Sequence, residues 1–360
     1  MTATKESDQA ACVRGAFLDQ AGYCDQLGSP FTALLCRALG EGLDPSNEIE
    51  RYILEWQGDP SAFGDSVPLR VAGALHYLVR TCRSSDLVAV YPPRPSPQAG
   101  VLLAAARAAL LEQASFVREF LQFPPQTNEV GRSAALIAGW LEIAAVTRLP
   151  LSLFEIGASA GLNLNADRYA YRFGDVYWEP AHTPHTGLTI TCEWTGRTPA
   201  IEAPLQVQAR RGCDRNPLDT LDRAQRERLL AYVWADQTER VARLEAAIGA
   251  MLAKPVAVER ADAAAWVPSV IPTHGARGVT RVVFHSVVWS YLDPHSQRLI
   301  ANHLARVGAA ASTESPLAWL RLELAGKNQP AELRLTLWPS GEDKLLAFAH
   351  PHGRWVRWSA

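Results

Sequence analysis

The stretch Phe154-Glu-Ile-Gly157-Ala-Ser159-Ala-Gly161-Leu-Asn163-Leu decides the fold that this sequence predicts. The apolar run 151–156, which ends at its first glycine, is typical of a buried strand. Small residues and a second glycine then open a helix, so the backbone can approach a ligand with no Cβ in the way. A tight strand-to-helix connection would use the same residues, and both interpretations stand. Ser159 replaces the middle glycine of the dinucleotide fingerprint, which speaks against a bound pyrophosphate and leaves room for a methyl donor.

Strands and helices alternate from this point onward. Apolar runs predict further strands at 205–209, 256–259, 281–285, 317–323, 333–338 and 345–350, and helical spacing predicts helices at 223–252, 263–270 and 295–307. Strands separated by helices indicate a parallel sheet with right-handed crossovers. The last two strands, joined by residues 339–343, indicate an antiparallel hairpin. A mostly parallel sheet closed by such a hairpin is typical of the class I methyltransferase form of the Rossmann fold.

The first 147 residues predict only helices. They contain no convincing run of alternating apolar and polar residues. We therefore expect a helical cap or lid domain over 1–147 and a Rossmann domain over 148–360, with a β insertion near 173–204.

Composition excludes several classes of protein. The 360 residues are 48% hydrophobic and 20% charged with a net charge of −2, so the chain lacks the basic excess of nonspecific nucleic-acid binders. Six cysteines occur without CxxC or CxxH spacing, which predicts reduced thiols and no metal site. The N-terminal segment is polar, and the longest apolar stretch, 133–149, carries Glu142. We expect a cytoplasmic protein without a membrane span that acts on a small molecule; the oligomeric state stays open.

Two aspartates follow predicted strands where a nucleoside would bind. Asp214 follows the second strand and would accept the ribose hydroxyls, although its distance from Gly157 far exceeds the usual spacing of about 20 residues. An insertion explains the distance, and Asp219 is the alternative. Asp262 follows the third strand and would contact the adenine amino group, or cap the helix that begins at Ala263.

The end of the fourth strand supplies candidate substrate contacts. Carboxyl ends of parallel strands open on the ligand crevice, so His285, Ser286 and Trp289 should face it. Tyr291, in the same motif, is also predicted to contact substrate. A histidine can act as a base near neutral pH, and a tryptophan can stack on an aromatic or cationic group. A purely structural histidine is the alternative.

The segment 126–132 leads into the first strand and is unusually polar. Gln126, Asn128, Glu129 and Arg132 exceed what a helix cap needs, so we predict that they contact substrate, with Glu129 as a possible base. Asn163 and Arg168, which follow the glycines, are predicted as further substrate contacts; a local ion pair between Asp167 and Arg168 is the alternative for Arg168.

At these positions the sequence resembles a known bacterial family, that of domain of unknown function 2332. The resemblance rests on EIGASAGLNLNADRY (155–169), QTNEVGR (126–132), RGCDRNPLD (211–219), VERADAAAW (258–266), FHSVVWSYL (284–292) and LRLTLWPSGE (333–342). It implies an S-adenosylmethionine-dependent methyltransferase-like Rossmann fold. It would place Glu155, Gly157, Ser159 and Gly161 on the donor-binding motif, Asp214 on the ribose and Asp262 on the adenine.

These observations lead to one main expectation and two alternatives. We expect a methyltransferase that uses S-adenosylmethionine on an unidentified small molecule, with His285 or Glu129 removing a proton. A non-catalytic nucleoside-binding or regulatory protein on a degenerate methyltransferase fold is the first alternative. A nucleotide-sugar or dinucleotide enzyme is the second.

Overall fold

The chain folds into helices and one large sheet. A computed structural model describes residues 8–181, 186–326 and 329–359. Its helices are α1 (Asp8–Gln26), α2 (Pro30–Gly42), α3 (Glu48–Leu54), α4 (Val67–Arg80), α5 (Ser85–Val90), α6 (Ala99–Glu112), α7 (Ala114–Leu121), α8 (Ser133–Thr147), α9 (Arg223–Ala231), α10 (Thr238–Ala253), α11 (Ala263–Val270) and α12 (Pro294–Ala309). Its strands are β1 (Leu151–Ile156), β2 (Ala170–Phe173), β3 (Val176–Trp178), β4 (Thr189–Thr195), β5 (Val207–Asp214), β6 (Val258–Arg260), β7 (Thr280–Ser286), β8 (Leu317–Leu324), β9 (Ala331–Trp338), β10 (Glu342–Ala349) and β11 (Trp355–Trp358).

The contacts divide the chain into two compact units. One consists of Met1–Thr127 with Asp222–Ala242, and the other of Asn128–Leu221 with Arg243–Ala360. The first unit is helical in its described residues, as expected, and its core is made of side chains such as Phe17 and Leu39. The boundary differs from the one expected after residue 147. Helix α8 belongs to the sheet unit because it packs on β8, β9 and β10, with its Trp140 ring 5.2 Å from that of Phe284.

The sheet has the order β3-β2-β4-β11-β10-β9-β8-β7-β1-β5-β6. Strands β6, β5, β1, β7 and β8 are parallel neighbours, which gives the order 3-2-1-4-5 when these five are numbered along the chain. That is the strand order of a Rossmann sheet. From β1 the order runs outward to β5 on one side and to β7 on the other, and ligands of such sheets bind at this switch point. The chain is therefore a mixed α/β protein with a large, mostly parallel sheet.

The rest of the sheet lies beyond β8. Strands β9 and β10 form the predicted antiparallel hairpin, and β10 pairs with β11 in the same antiparallel sense. The expected insertion near 173–204 supplies β3 and β4, and the β strands begin slightly earlier than expected, with β2. Strand β4 pairs with β11 at the far side of the sheet. The chain thus leaves β1 for the distant edge and returns to β5.

One predicted helix is broken. Residues 223–252 form α9 and α10, separated by 232–237, where Asp236 accepts hydrogen bonds from Ser29 Oγ and, at 2.9 Å, from Phe31 N. Asp236 thereby caps α2, and this tertiary contact interrupts a sequence that has no glycine or proline at the break.

Within the part of the chain that the structure describes, one helical segment passes a length and composition test for a membrane span. It is Val130–Thr147, with a mean hydropathy of 1.3, and 72% of it is buried in the protein, as a core helix would be. The pair Ala99–Glu112 and Ala114–Leu121 passes only if counted as a single span despite its 90° bend.

Candidate functional site

The glycine turn, residues 157–161, leaves β1 at the edge where the sheet order reverses. Gly157, Ser159 and Gly161 have φ of +68°, +54° and +73°, which is the left-handed region. A Cβ on Gly157 would lie 2.4 Å from Val288 Cγ2, and one on Gly161 would lie 2.9 Å from Val258 Cγ2. Glycine is therefore required at both positions by conformation and by space.

Asp214 closes this turn from the end of β5. Its Oδ2 accepts the Ser159 N–H at 2.9 Å, and its Oδ1 accepts the Asn216 N–H at 2.8 Å. The acid predicted to bind ribose thus does meet the glycine turn in space, although the insertion separates the two along the chain. The alternative, Asp219, is exposed and accepts the nearby Leu221 N–H at 2.8 Å.

Three buried polar atoms surround the glycine turn with no hydrogen-bond partner among the described residues. They are Glu155 Oε2, Ser159 Oγ and Asn163 Oδ1, on residues that are 1%, 4% and 1% exposed. Buried polar atoms nearly always have a partner, so each of these three is available to hydrogen-bond a water or a polar ligand. Burial raises the pKa of Glu155 well above its usual range; the charge of Asp214 adds to that shift and Arg132 opposes it.

Asp262 caps α11 and forms an ion pair. Its Oδ1 accepts the Ala264 N–H at 2.9 Å, and its Oδ2 lies 2.7 Å from Arg215 Nη2. The hydrogen bond from Arg215 lowers the pKa of this carboxyl. Capping, the structural alternative for Asp262, is present; contact with an adenine stays a prediction.

His285 lies inside a buried cluster at the end of β7. Its Nδ1 donates to Glu323 Oε1 at 2.6 Å, its Nε2 accepts from Trp319 Nε1 at 3.2 Å, and its ring stacks on Trp289 at 5.0 Å. Because the residue is 0% exposed and both ring nitrogens are bonded, the geometry gives His285 no nitrogen with which to take a proton from substrate. The geometry therefore does not support the predicted role of His285 as a base. The ring of Trp289, predicted to stack on a ligand, stacks on His285.

Sequence reasoning missed Glu323 and Trp319. Both lie on β8, the parallel neighbour of β7, so their position on the adjacent strand was the signal that could have paired them with His285. Glu323 Oε1 also accepts the Val288 N–H at 3.1 Å. Glu323 therefore holds the turn 286–288, in which Val287 has a φ of +52°, a strained value for a β-branched residue.

The polar segment 128–132 contacts the residue that follows the glycine turn and the end of β7. Asn128 Oδ1 accepts the Leu162 N–H at 2.9 Å, and Arg132 donates through Nη1 to the Ser286 carbonyl at 3.3 Å. Glu129 accepts the Gly131 N–H at 3.0 Å and pairs with Arg243 at 3.6 Å. The structure thus brings two of the four residues predicted here, Asn128 and Arg132, to Leu162 and to the end of β7, whereas Glu129 pairs with α10. Gln126 belongs to the helical unit, and its substrate contact stays a prediction.

Two predicted substrate contacts lie apart from the glycine turn. Arg168 is at the far end of the 3-10 helix Leu162–Arg168 and lines a cleft at the amino end of β5. Tyr291 is 73% exposed.

The residues at the glycine turn fit S-adenosylmethionine if the side chain of Val288 moves. The orphaned atoms of Glu155, Ser159 and Asn163 suit a polar ligand with hydroxyl and amino groups. The space beside Gly157, where a methionine tail would pass, is filled by Val288. Val288 is half-buried, and its side chain would have to turn away for the tail to enter.

Comparison with known proteins identifies the family of the chain. Neither a curated protein nor a solved structure matches it significantly. One family model matches residues 14–358, nearly the whole sequence. The chain therefore belongs to the family described as "Uncharacterized protein conserved in bacteria (DUF2332)".

Proposed function

We propose that this protein binds S-adenosylmethionine at the glycine turn and transfers its methyl group to a small molecule. The observation that supports the proposal is the coincidence of three orphaned buried polar atoms with the point where the strand order reverses. S-adenosylmethionine, when bound, supplies an electrophilic methyl group. A cytoplasmic location goes with this proposal, because all six cysteines are free thiols.

The residues of the chain would act mainly by positioning. Glu155, Ser159 and Asn163 would bind polar groups of the donor, and Asp214 would keep the turn in its shape. His285 would act as a positioning residue, since with Glu323 it holds the turn that carries Val288. Holding donor and acceptor in line accounts for most of the rate gain in such a displacement.

A second candidate is binding without turnover. The observation that favours it is the engagement of both ring nitrogens of His285, one of the two bases predicted from the sequence. Under this proposal the protein holds a nucleoside or a related ligand and signals its presence.

Titration calorimetry with S-adenosylmethionine tests the binding step. We expect heat of binding for the wild type and tighter binding for Val288→Ala, because the shorter side chain opens the space beside Gly157. Arg298→Gln, a change of an exposed residue on α12, is the control. The proposal is wrong if millimolar donor gives neither heat nor a thermal shift with the wild type or with Val288→Ala.

Mass spectrometry separates the two candidates. With a pool of small-molecule acceptors added, a methyltransferase converts S-adenosylmethionine to S-adenosylhomocysteine and a methylated product. Tight binding with no conversion across all acceptors would favour the non-catalytic candidate.

A further inference from the structure

A cleft of about 680 Å³ lies in the sheet unit and is separate from the glycine turn. It is formed by the end of the 3-10 helix, by β3 and the residues after it, and by the segment that leads into β5. Its size is within the range of small-molecule sites, about 300 to 1,000 Å³. None of its lining residues belongs to the glycine turn, so it is a separate site.

Two cations in this cleft have no acidic partner among the described residues. Arg168 Nη1 donates to Asn165 Oδ1 at 2.7 Å and to the Lys254 carbonyl at 3.1 Å, and both acceptors are neutral. The Lys254 side chain is exposed and makes no ion pair within the described part of the chain. Burial lowers the pKa of Arg168, the like charge of Arg210 acts in the same direction, and the charge of Asp167 opposes both. A bound anion would offset both effects.

The other charged residues of the cleft are Arg210 and three carboxylates, and none of the carboxylates forms an ion pair with Arg168 or Lys254 among the described residues. Arg210 is matched by Asp167, with which it forms an ion pair, and it also donates to the Leu164 carbonyl at 2.9 Å. Glu179 and Glu202 are exposed, and Glu179 accepts the Tyr177 hydroxyl at 2.9 Å. Arg168 and Lys254 are therefore the cations of the cleft that form no ion pair among the described residues, and the backbone carbonyl of Lys254 accepts a hydrogen bond from Arg168.

Apolar side chains complete the cleft. Trp178, Ile201 and Leu205 are half-buried lining residues. The Trp178 ring is supported by Tyr171, with centroids 5.9 Å apart. A partly exposed, well-supported indole offers a planar surface on which a ring can stack.

We propose that this cleft binds a small planar organic anion, with its ring against Trp178 and its acidic group on Arg168 and Lys254. The acidic group is a carboxylate or a phosphate, since both accept hydrogen bonds from a guanidinium and an ammonium.

Calorimetry with matched probes tests the site. Indole-3-acetate and phenyl phosphate carry a ring and an anion, whereas indole-3-acetamide keeps the ring without the charge. We expect an anionic probe to bind about tenfold more tightly than the amide. The tighter of the two anions identifies the preferred acidic group.

Variants assign the contacts. Arg168→Gln should weaken binding of the anion about tenfold, and Lys254→Gln about threefold, while the amide is unaffected. Trp178→Leu should weaken acid and amide alike, and Arg298→Gln, outside the cleft, should change neither. Lys254 is exposed, so Lys254→Gln keeps the test decisive if another variant fails to fold. Equal affinity for acid and amide, or an unchanged anion affinity in Lys254→Gln, overturns the proposal. Binding of S-adenosylmethionine is measured separately and does not bear on this outcome.

Discussion

Ser159 is a residue whose backbone conformation favours a different amino acid. Its φ of +54° suits glycine, and its buried hydroxyl has no hydrogen-bond partner among the described residues. Ser159→Gly should therefore keep the free energy of unfolding within about 1 kcal/mol of the wild type, since relief of strain offsets the added freedom of the unfolded chain. Ser159→Val, with a β-branched side chain in this region, should lower it by about 2 kcal/mol or more.

Urea unfolding of the two Ser159 variants measures this difference. A loss in Ser159→Gly as large as that in Ser159→Val would mean that the hydroxyl contributes to folding. If S-adenosylmethionine binds, weaker binding by Ser159→Gly at unchanged stability would assign the hydroxyl to the ligand.

The pH dependence of stability follows from Glu155. Its pKa in the folded protein is well above the ordinary value of 4.5, so the folded state holds the proton more tightly than the unfolded state. The stabilisation is complete below pH 4.5 and declines as pH rises toward the folded-state pKa, by about 1.4 kcal/mol per pH unit. Glu155→Gln should remove this slope. Chemical unfolding at a series of pH values above 4.5 measures this. If the free energy of unfolding changes with pH equally in the wild type and in Glu155→Gln, the prediction is wrong.

Among the elements, the turn after β7 depends on one carboxylate from β8. Glu323 Oε1 accepts from both His285 Nδ1 and the Val288 N–H. Glu323→Ala leaves both donors without this acceptor and should cost about 2 to 3 kcal/mol. Glu323→Gln retains an acceptor oxygen and should cost less. Hydrogen exchange at the Val288 amide reports the effect directly: protection should fall in Glu323→Ala, and unchanged protection would show that the turn holds itself.

Elements governed by local sequence were predicted well. The bounds of β1 and α11 match the prediction residue for residue, because an apolar run ending at Gly157 and a cap at Asp262 mark them. Contacts between distant residues were not predictable. The break between α9 and α10 depends on Asp236 meeting Ser29, and the engagement of His285 depends on Glu323 and Trp319. The sequence identified candidate residues by their type and position. Their roles depend on the partners that the fold brings to them, which the sequence did not show.

At the scale of the whole molecule, acid should weaken the helical unit. His76 is buried there with its Nδ1 3.1 Å from the Ala231 carbonyl, and burial, with the charge of Arg80, lowers its pKa to about 4. Below pH 6.5 the unfolded chain binds a proton that the folded unit does not. Stability contributed by neutral His76 is therefore lost as pH falls from about 6.5 to about 4, by about 1.4 kcal/mol per unit.

Unfolding curves at a series of pH values check this for the wild type and His76→Gln. The amide of glutamine can donate to the Ala231 carbonyl and does not titrate. On acidification from pH 6.5 to 4, the free energy of unfolding of His76→Gln should therefore fall by about 1.4 kcal/mol per unit less than that of the wild type. An unchanged slope would place the acid sensitivity elsewhere.

The strand order also determines when the sheet can be finished. Strands β2, β3 and β4 pair with one another, and their link to the other strands is the pairing of β4 with β11. During synthesis, β2 to β4 leave the ribosome long before β11. The edge of β4 that pairs with β11 therefore stays unpaired until the rest of the sheet has been synthesised. Exposed strand edges invite pairing with other chains, and distant pairings form slowly. Completion of this sheet is therefore a late folding event, and a nascent chain without β11 should be the species most in need of a chaperone.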